Sequence, residues 1–184
     1  MGGTELTRKA DSGLTLIEVM LASFILTVSL LAVAATMGVG IASTFIAQEQ
    51  LIAKQKAREA LESVFTARST QNIVFSDIQS ESDGGIFQDG WQSIKDMGTD
   101  GIANTDDDGD IETISFPGPD GDLGTSDDIE RELTNYSRRV TFSEVLLQSG
   151  DVDEEIRKIS VDVRFLVRGQ WWTVTVSSYI SRFA

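Results

Sequence analysis

Two groups of side chains in this sequence could do chemistry, and both are built from carboxylates. The first is a single acid. Residues 14–47 are apolar apart from scattered Ser and Thr, and Glu18 is the one charged side chain among them. An unpaired carboxylate in hydrocarbon costs about 2.5–3.5 kcal/mol on insertion scales. Glu18 therefore needs a dedicated cationic partner, and its chemistry is ion pairing. The second group is crowded. Gly98-Thr99-Asp100-Gly101-Ile102-Ala103-Asn104-Thr105-Asp106-Asp107-Asp108 aligns with Gly118-Pro119-Asp120-Gly121-Asp122-Leu123-Gly124-Thr125-Ser126-Asp127-Asp128. Hard cations such as Ca²⁺ take six to eight oxygens, and Gly allows the tight turns that converge them.

The candidate ligands are Asn104, Asp106, Asp108 and Asp110 in the first copy and Asp120, Asp127 and Asp128 in the second. The first copy follows the opening nine positions of an EF-hand loop. Ser115 then stands where a bidentate Glu is required, and no flanking helices are expected. The other reading of both copies is a pair of Asp-Gly β-turns whose Asp side chains cap local amides. Crowding of Asp106, Asp107, Asp108 and Asp110 favours an ion at the first copy, since those carboxylates would otherwise repel one another. For the second copy, turn and ion site stand level. Calcium is the one possible cofactor.

Composition narrows the field. The 184 residues include no Cys and no His. That excludes a disulfide framework, thiolate and imidazole metal sites, and Cys–His or Ser–His nucleophiles. The formal charge is −14. Between Asp77 and Asp128 fifteen acids face a single base, Lys95, which repels nucleic acid. No base, nucleophile or apolar pocket accompanies the carboxylates, so the sequence points away from an enzyme.

The elements that position these groups follow from periodicity. Residues 14–68 are expected to form one helix, roughly 80 Å long at 1.5 Å per residue. An apolar span of about 20 residues crosses a bilayer, and residues 14–47 exceed that. Ala22, Ser23, Ala32, Ala34, Ala35, Gly38 and Gly40 would permit close helix–helix approach, and the two glycines mark the expected place for a bend. Past Ala47 polar residues enter, while Ala53, Ala57, Ala60, Leu61, Val64 and Phe65 keep a stripe at helical spacing. That stripe has too few large residues for a coiled-coil neck and should back a β-sheet.

Residues 69–98 are expected to wrap loosely, with Ile73, Val74, Phe75, Phe87 and Trp91 as anchors. Short strands are expected at 111–116 and 129–133. Residues 138–147 form a strand whose phase slips between Phe142 and Val145, the mark of a bulge. Residues 149–155 read as an acidic turn. Alternation of Ile159, Val161, Val163, Phe165 and Val167, then of Trp172, Val174, Val176 and Ile180, reads as an antiparallel hairpin about Arg168-Gly169-Gln170. Of Trp171 and Trp172, one should be core and the other rim or subunit contact.

Gly13-Leu14-Thr15-Leu16-Ile17-Glu18-Val19, with Arg8 and Lys9 before it and the apolar helix after it, resembles the prepilin cleavage and methylation site of type IV pilins and type II secretion pseudopilins. The resemblance implies that a prepilin peptidase cuts between Gly13 and Leu14. Leu14 would then carry the freed, methylated amine, and Glu18 would pair with the amine of a neighbouring subunit. The family most often has Phe after the cut, where this chain has Leu. Further implied partners are other pilin or pseudopilin subunits, the membrane and an ATPase-driven inner-membrane assembly platform.

The fold class implied is α+β, a pilin-like lollipop with a long N-terminal helix on a C-terminal antiparallel sheet. Its parts are a leader at 1–13, a transmembrane or filament-core helix at 14–47, an amphipathic half at 48–68 and a β head at 69–184 with the acidic loops at 98–128. Arg8 and Lys9 place the N-terminus in the cytoplasm. The protein would sit once across a bacterial inner membrane, head exported, and then enter an extracellular or periplasmic filament. Many major subunits have a proline where this chain has Ala35, and none occurs here before Pro117. That is more similar to the minor group that includes PilV and the GspI-type pseudopilins, with a major pilin as the alternative. A different class is a single-pass, calcium-binding surface or adhesion module on an ordinary signal anchor. A secretory signal peptide fits less well, because its apolar core of about 7–15 residues ends at the cleavage site.

Overall fold

The computed structural model describes residues 15–183. It contains one long helix, α1 (Leu16–Ser69), and six strands: β1 (Gln92–Ser93), β2 (Thr113–Phe116), β3 (Ile129–Glu132), β4 (Tyr136–Leu146), β5 (Val152–Val167) and β6 (Gln170–Ser181). This is an α+β protein, a long apolar N-terminal helix followed by an antiparallel sheet. The chain divides into two units, Met1–Phe45 and Ile46–Ala184.

Helix α1 starts where Thr15 accepts the Glu18 amide hydrogen on Oγ1 at 3.3 Å, an N-terminal cap. In the first unit the helix is apolar all round and uncovered, with Leu16, Ile17, Phe24 and Leu31 each more than three-fifths exposed. Its hydroxyls need no water. Ser23, Thr27, Ser29, Thr36, Ser43 and Thr44 each donate to a carbonyl three or four residues back, at 2.7–3.1 Å. Backbone and side-chain donors are thus satisfied within the helix, as a lipid environment demands. The helix runs unbroken through Gly38 and Gly40. The helix stops where Gln71 adopts a left-handed φ of 62°, which lets the Asn72 amide donate to Ala67 O at 2.9 Å.

In the second unit the alanine stripe is the packing face. Ala53, Ala57, Ala60, Leu61, Val64 and Ala67 are buried, in one core with Tyr136, Val140, Ile159, Val161, Val163 and Phe165. Small side chains on the helix let it lie close on the sheet. The main sheet has the order β1-β4-β5-β6, with antiparallel pairing throughout. Val140 faces Val161 and Val161 faces Val176 across it. The expected bulge lies between Glu144 and Val145. At the β5–β6 turn Arg168 and Gly169 have φ of 53° and 79°, the two positive values that a tight two-residue hairpin requires. Trp172 packs against the core, while Trp171 is 47% exposed with the Arg164 guanidinium over its ring. Strands β2 and β3 pair as a separate two-stranded sheet.

Two expectations need correction. Residues 69–98 are more ordered than a loose wrap. They form two short 3-10 turns (Phe75–Asp77 and Glu81–Asp83) and β1, and they bury Ile73, Ile78, Phe87 and Ile94. Their apolar residues are irregularly spaced, so no period announces them. Val74, expected as an anchor, is 54% exposed. The acidic turn expected at 149–155 is shorter, because β5 already begins at Val152 and Gly150 donates to Leu147 O to close the bend. Acidic side chains at 153–155 suggested a turn but stand on the open flank of a strand.

Candidate functional site

Gly13 and Leu14, the expected processing residues, lie outside the described residues. Glu18 lies in the first turn of α1, where a negative charge meets the positive end of the helix dipole. Among the described residues no cation pairs with it. The helix that carries it is long and apolar enough to cross a membrane.

The two acidic loops prove to be one structure built twice. In the first, Asp107 Oδ2 accepts the Asp100 amide at 3.1 Å, and Asp100 Oδ1 accepts the Ile102 amide at 2.7 Å. Asp108 Oδ2 accepts the Asn104 amide at 2.8 Å, and Thr105 Oγ1 donates to Asp107 Oδ1 at 2.9 Å. The second copy repeats each bond. Asp127 accepts from Asp120 at 3.3 Å, Asp120 from Asp122 at 2.9 Å, Asp128 from Gly124 at 2.6 Å, and Thr125 donates to Asp127 at 2.6 Å. Each loop has two left-handed positions, Gly101 and Asn104 in one and Gly121 and Gly124 in the other. These amide and hydroxyl hydrogen bonds hold the Asp107 and Asp127 carboxyls below the usual carboxylate range. For Asp107 the Asp100 amide contributes most, and for Asp127 the Thr125 hydroxyl does.

The bonds of the Asp-Gly turn reading are thus present in both copies. Among the described residues no three acidic side chains converge where they could hold a metal ion. Of the expected ligands, Asp106 accepts from Gln88 Nε2 at 2.9 Å, and Asp110 meets Asp96 through its backbone carbonyl. The charge facing Asp108 is internal. Arg138 Nη2 lies 3.7 Å away, and Arg138 Nε donates to Asn104 Oδ1 at 3.4 Å. Burial lowers the Arg138 pKa and raises that of Asp108, because each charge loses its water and the two only partly replace it. Oδ1 of Asp108 and, at the matching place, Oδ1 of Asp128 are buried without a hydrogen-bond donor.

The surroundings of the loops differ. Ile102, Ala103, Asn104 and Thr105 of the first are 0–4% exposed, whereas Leu123, which replaces Ala103 in the second, is 63% exposed. Sequence reasoning missed three partly buried charge clusters, two of which tie the chain that follows these loops to α1. Lys56 donates to Glu59 at 2.7 Å and to Glu112. Glu49 accepts from Arg131 at 2.8 and 3.2 Å, and from the Tyr136 hydroxyl. Arg138 is the third. It shares the β4 phase of Tyr136, Val140 and Phe142, and that phase was the signal available for it.

Comparison with known proteins bears on the N-terminus. Residues 8–34 match the family model described as the prokaryotic N-terminal methylation motif. The chain carries that methylation motif. It is typical of type IV pilins and pseudopilins, and here it spans Gly13, Leu14, Glu18 and the first half of the uncovered helix. Motif and helix together fit a membrane-anchored protein. The match stops at residue 34, and no curated protein and no solved structure matches the chain.

Proposed function

We propose that this protein is a structural subunit of a type IV pilus or type II secretion-like filament, cut by prepilin peptidase after Gly13 and assembled through α1. One observation carries the reading: the methylation motif leads into the first part of α1, residues 16–45, whose apolar side chains are uncovered and whose one acid, Glu18, has no cation beside it among the described residues. In the bilayer, lipid covers that apolar surface and Glu18 remains unpaired. In a filament, neighbouring helices cover the same surface, and the methylated amine of a neighbour's Leu14 meets Glu18. Pairing of this kind fixes register more than it adds stability. The subunit would wait in the bacterial inner membrane, N-terminus inside and head exported. An unbroken helix through Ala35 supports a minor subunit.

Mass spectrometry of the native N-terminus tests this. The expected mature chain begins at Leu14 and carries one methyl group. Native material that retains Met1, or begins elsewhere, would overturn the filament reading and leave a tethered acidic head.

A further inference from the structure

The second acidic loop holds the fold of the first without any of its packing. Residues 102–105 of copy one are buried, and its Asp108 meets Arg138. Copy two is exposed, presents Asp120, Asp122 and Leu123 to solvent, and among the described residues no Lys or Arg pairs with its acids. The Asp122 side chain takes no part in closing its loop, whose bonds run through Asp120, Asp127 and Asp128. An exposed leucine between acids, held on a preformed loop, is a docking element suited to an arginine-rimmed apolar pocket.

This chain has such a pocket at the other end of its head. An open cavity of about 470 Å³ is lined by Arg68, Arg157 and Arg182, with Val74 and Phe75 on its apolar side and Glu154 also in its lining. Three of the chain's fifteen basic residues meet there, on a molecule of net charge −14. Arg157 is held in place, its guanidinium over the Phe75 ring and donating to Phe75 O and Ile78 O. Arg68 donates to Arg182 O at 2.7 Å, and its Nε is buried without an acceptor. No ion pair engages any of the three among the described residues.

The two features cannot meet within one molecule. Strand β3, which follows the loop, is tied to Glu49 by Arg131, and the pocket includes Arg68. Those helix positions lie about 28 Å apart along the axis at 1.5 Å per residue. A contact between complementary patches at opposite ends of a body is heterologous, and repeating it builds an open chain rather than a closed dimer.

We propose that the Asp120–Leu123 tip of one head docks into the Arg68/Arg157/Arg182 pocket of a second copy of this chain. Leu123 would lie against Val74 and Phe75, and Asp120 and Asp122 would face the arginines. The contact rests on the filament reading for its repetition but not for its geometry. It requires more than one copy side by side.

The absence of cysteine allows a clean test. Full-length Leu123→Cys and Val74→Cys proteins are mixed in lipid vesicles and oxidised. A disulfide needs Cα atoms within about 7 Å, so only docking between molecules can join the two. The expected product is the mixed dimer, one Leu123→Cys chain joined to one Val74→Cys chain, well above a Ser149→Cys control. Adding Asp122→Lys to the Leu123→Cys chain should lower its yield by about two- to fivefold, the range for loss of an exposed ion pair. Mixed dimer no more abundant than the control overturns the proposal. The filament reading is decided separately, by the mass of the native N-terminus.

Discussion

Placing the same substitution in both acidic loops should have very different effects. A Cβ at Gly98 would lie 2.3 Å from Asp107 O and Cγ, and one at Gly118 would lie 2.2 Å from Asp127 O. Either alanine therefore forces its loop open. In the first copy the opening exposes Ile102, worth about 1.5–3 kcal/mol when fully buried, and the Ala103 methyl, worth about 0.8 kcal/mol. The loss of the Asn104 contacts adds about 1 kcal/mol. Gly98→Ala should then cost about 4 kcal/mol, a large part of the 5–15 kcal/mol typical of a domain. At about 3 °C per kcal/mol for a head of this size, the melting temperature falls by about 12 °C. In the second copy every opened side chain except that of Asp128 is already exposed, and Gly118→Ala should cost less than about 1 kcal/mol. The assay is thermal unfolding of the full-length protein in detergent, followed by near-ultraviolet circular dichroism. Equal losses, or a larger loss from Gly118→Ala, would refute the claim that packing distinguishes the loops.

Glu18→Ala should leave membrane insertion intact and abolish assembly; filaments of normal yield from that variant would contradict the pairing role. The head should lose stability above about pH 10. Burial and the Glu49 carboxylate hold the Tyr136 hydroxyl above its ordinary pKa. Burial lowers the Lys56 value, but Glu112 and Glu59 outweigh it and the net shift is upward. Both folded values exceed the unfolded ones, so this stability is complete below about pH 10 and lost as pH rises through them. Melting curves from about pH 9 to 11 measure it, and Tyr136→Phe should flatten the decline. Arg138→Met strands the Asp108 charge and should cost about 3–5 kcal/mol, most of it recovered by adding Asp108→Asn; denaturant unfolding of the single and double variants decides. Chelation of divalent cations should leave the melting temperature unchanged, because the loops close on their own amides and Asp108 meets Arg138. A drop would assign a cation to the orphaned Oδ1 atoms of Asp108 and Asp128.

Residue order by itself settled whatever depends on neighbours along the chain. The apolar run after Gly13 and the amphipathic stripe from Ala53 to Ala67 show a helix, because its side chains face one way only at a fixed period. Alternation about Arg168-Gly169 shows the hairpin, and the slip between Phe142 and Val145 shows the bulge, for the same reason. The repeated Asp/Gly pattern shows two like loops, since the bonds they share join residues no more than seven apart. Tertiary structure decided which loop packs into the core, that Arg138 faces Asp108, and that Glu49 meets Arg131 and Tyr136 from far along the chain. It also brought Arg68, Arg157 and Arg182 to one pocket. No local period encodes these encounters. A charge is tolerated in the core only where folding delivers its partner, as it brings Asp108 to Arg138 from a different part of the chain.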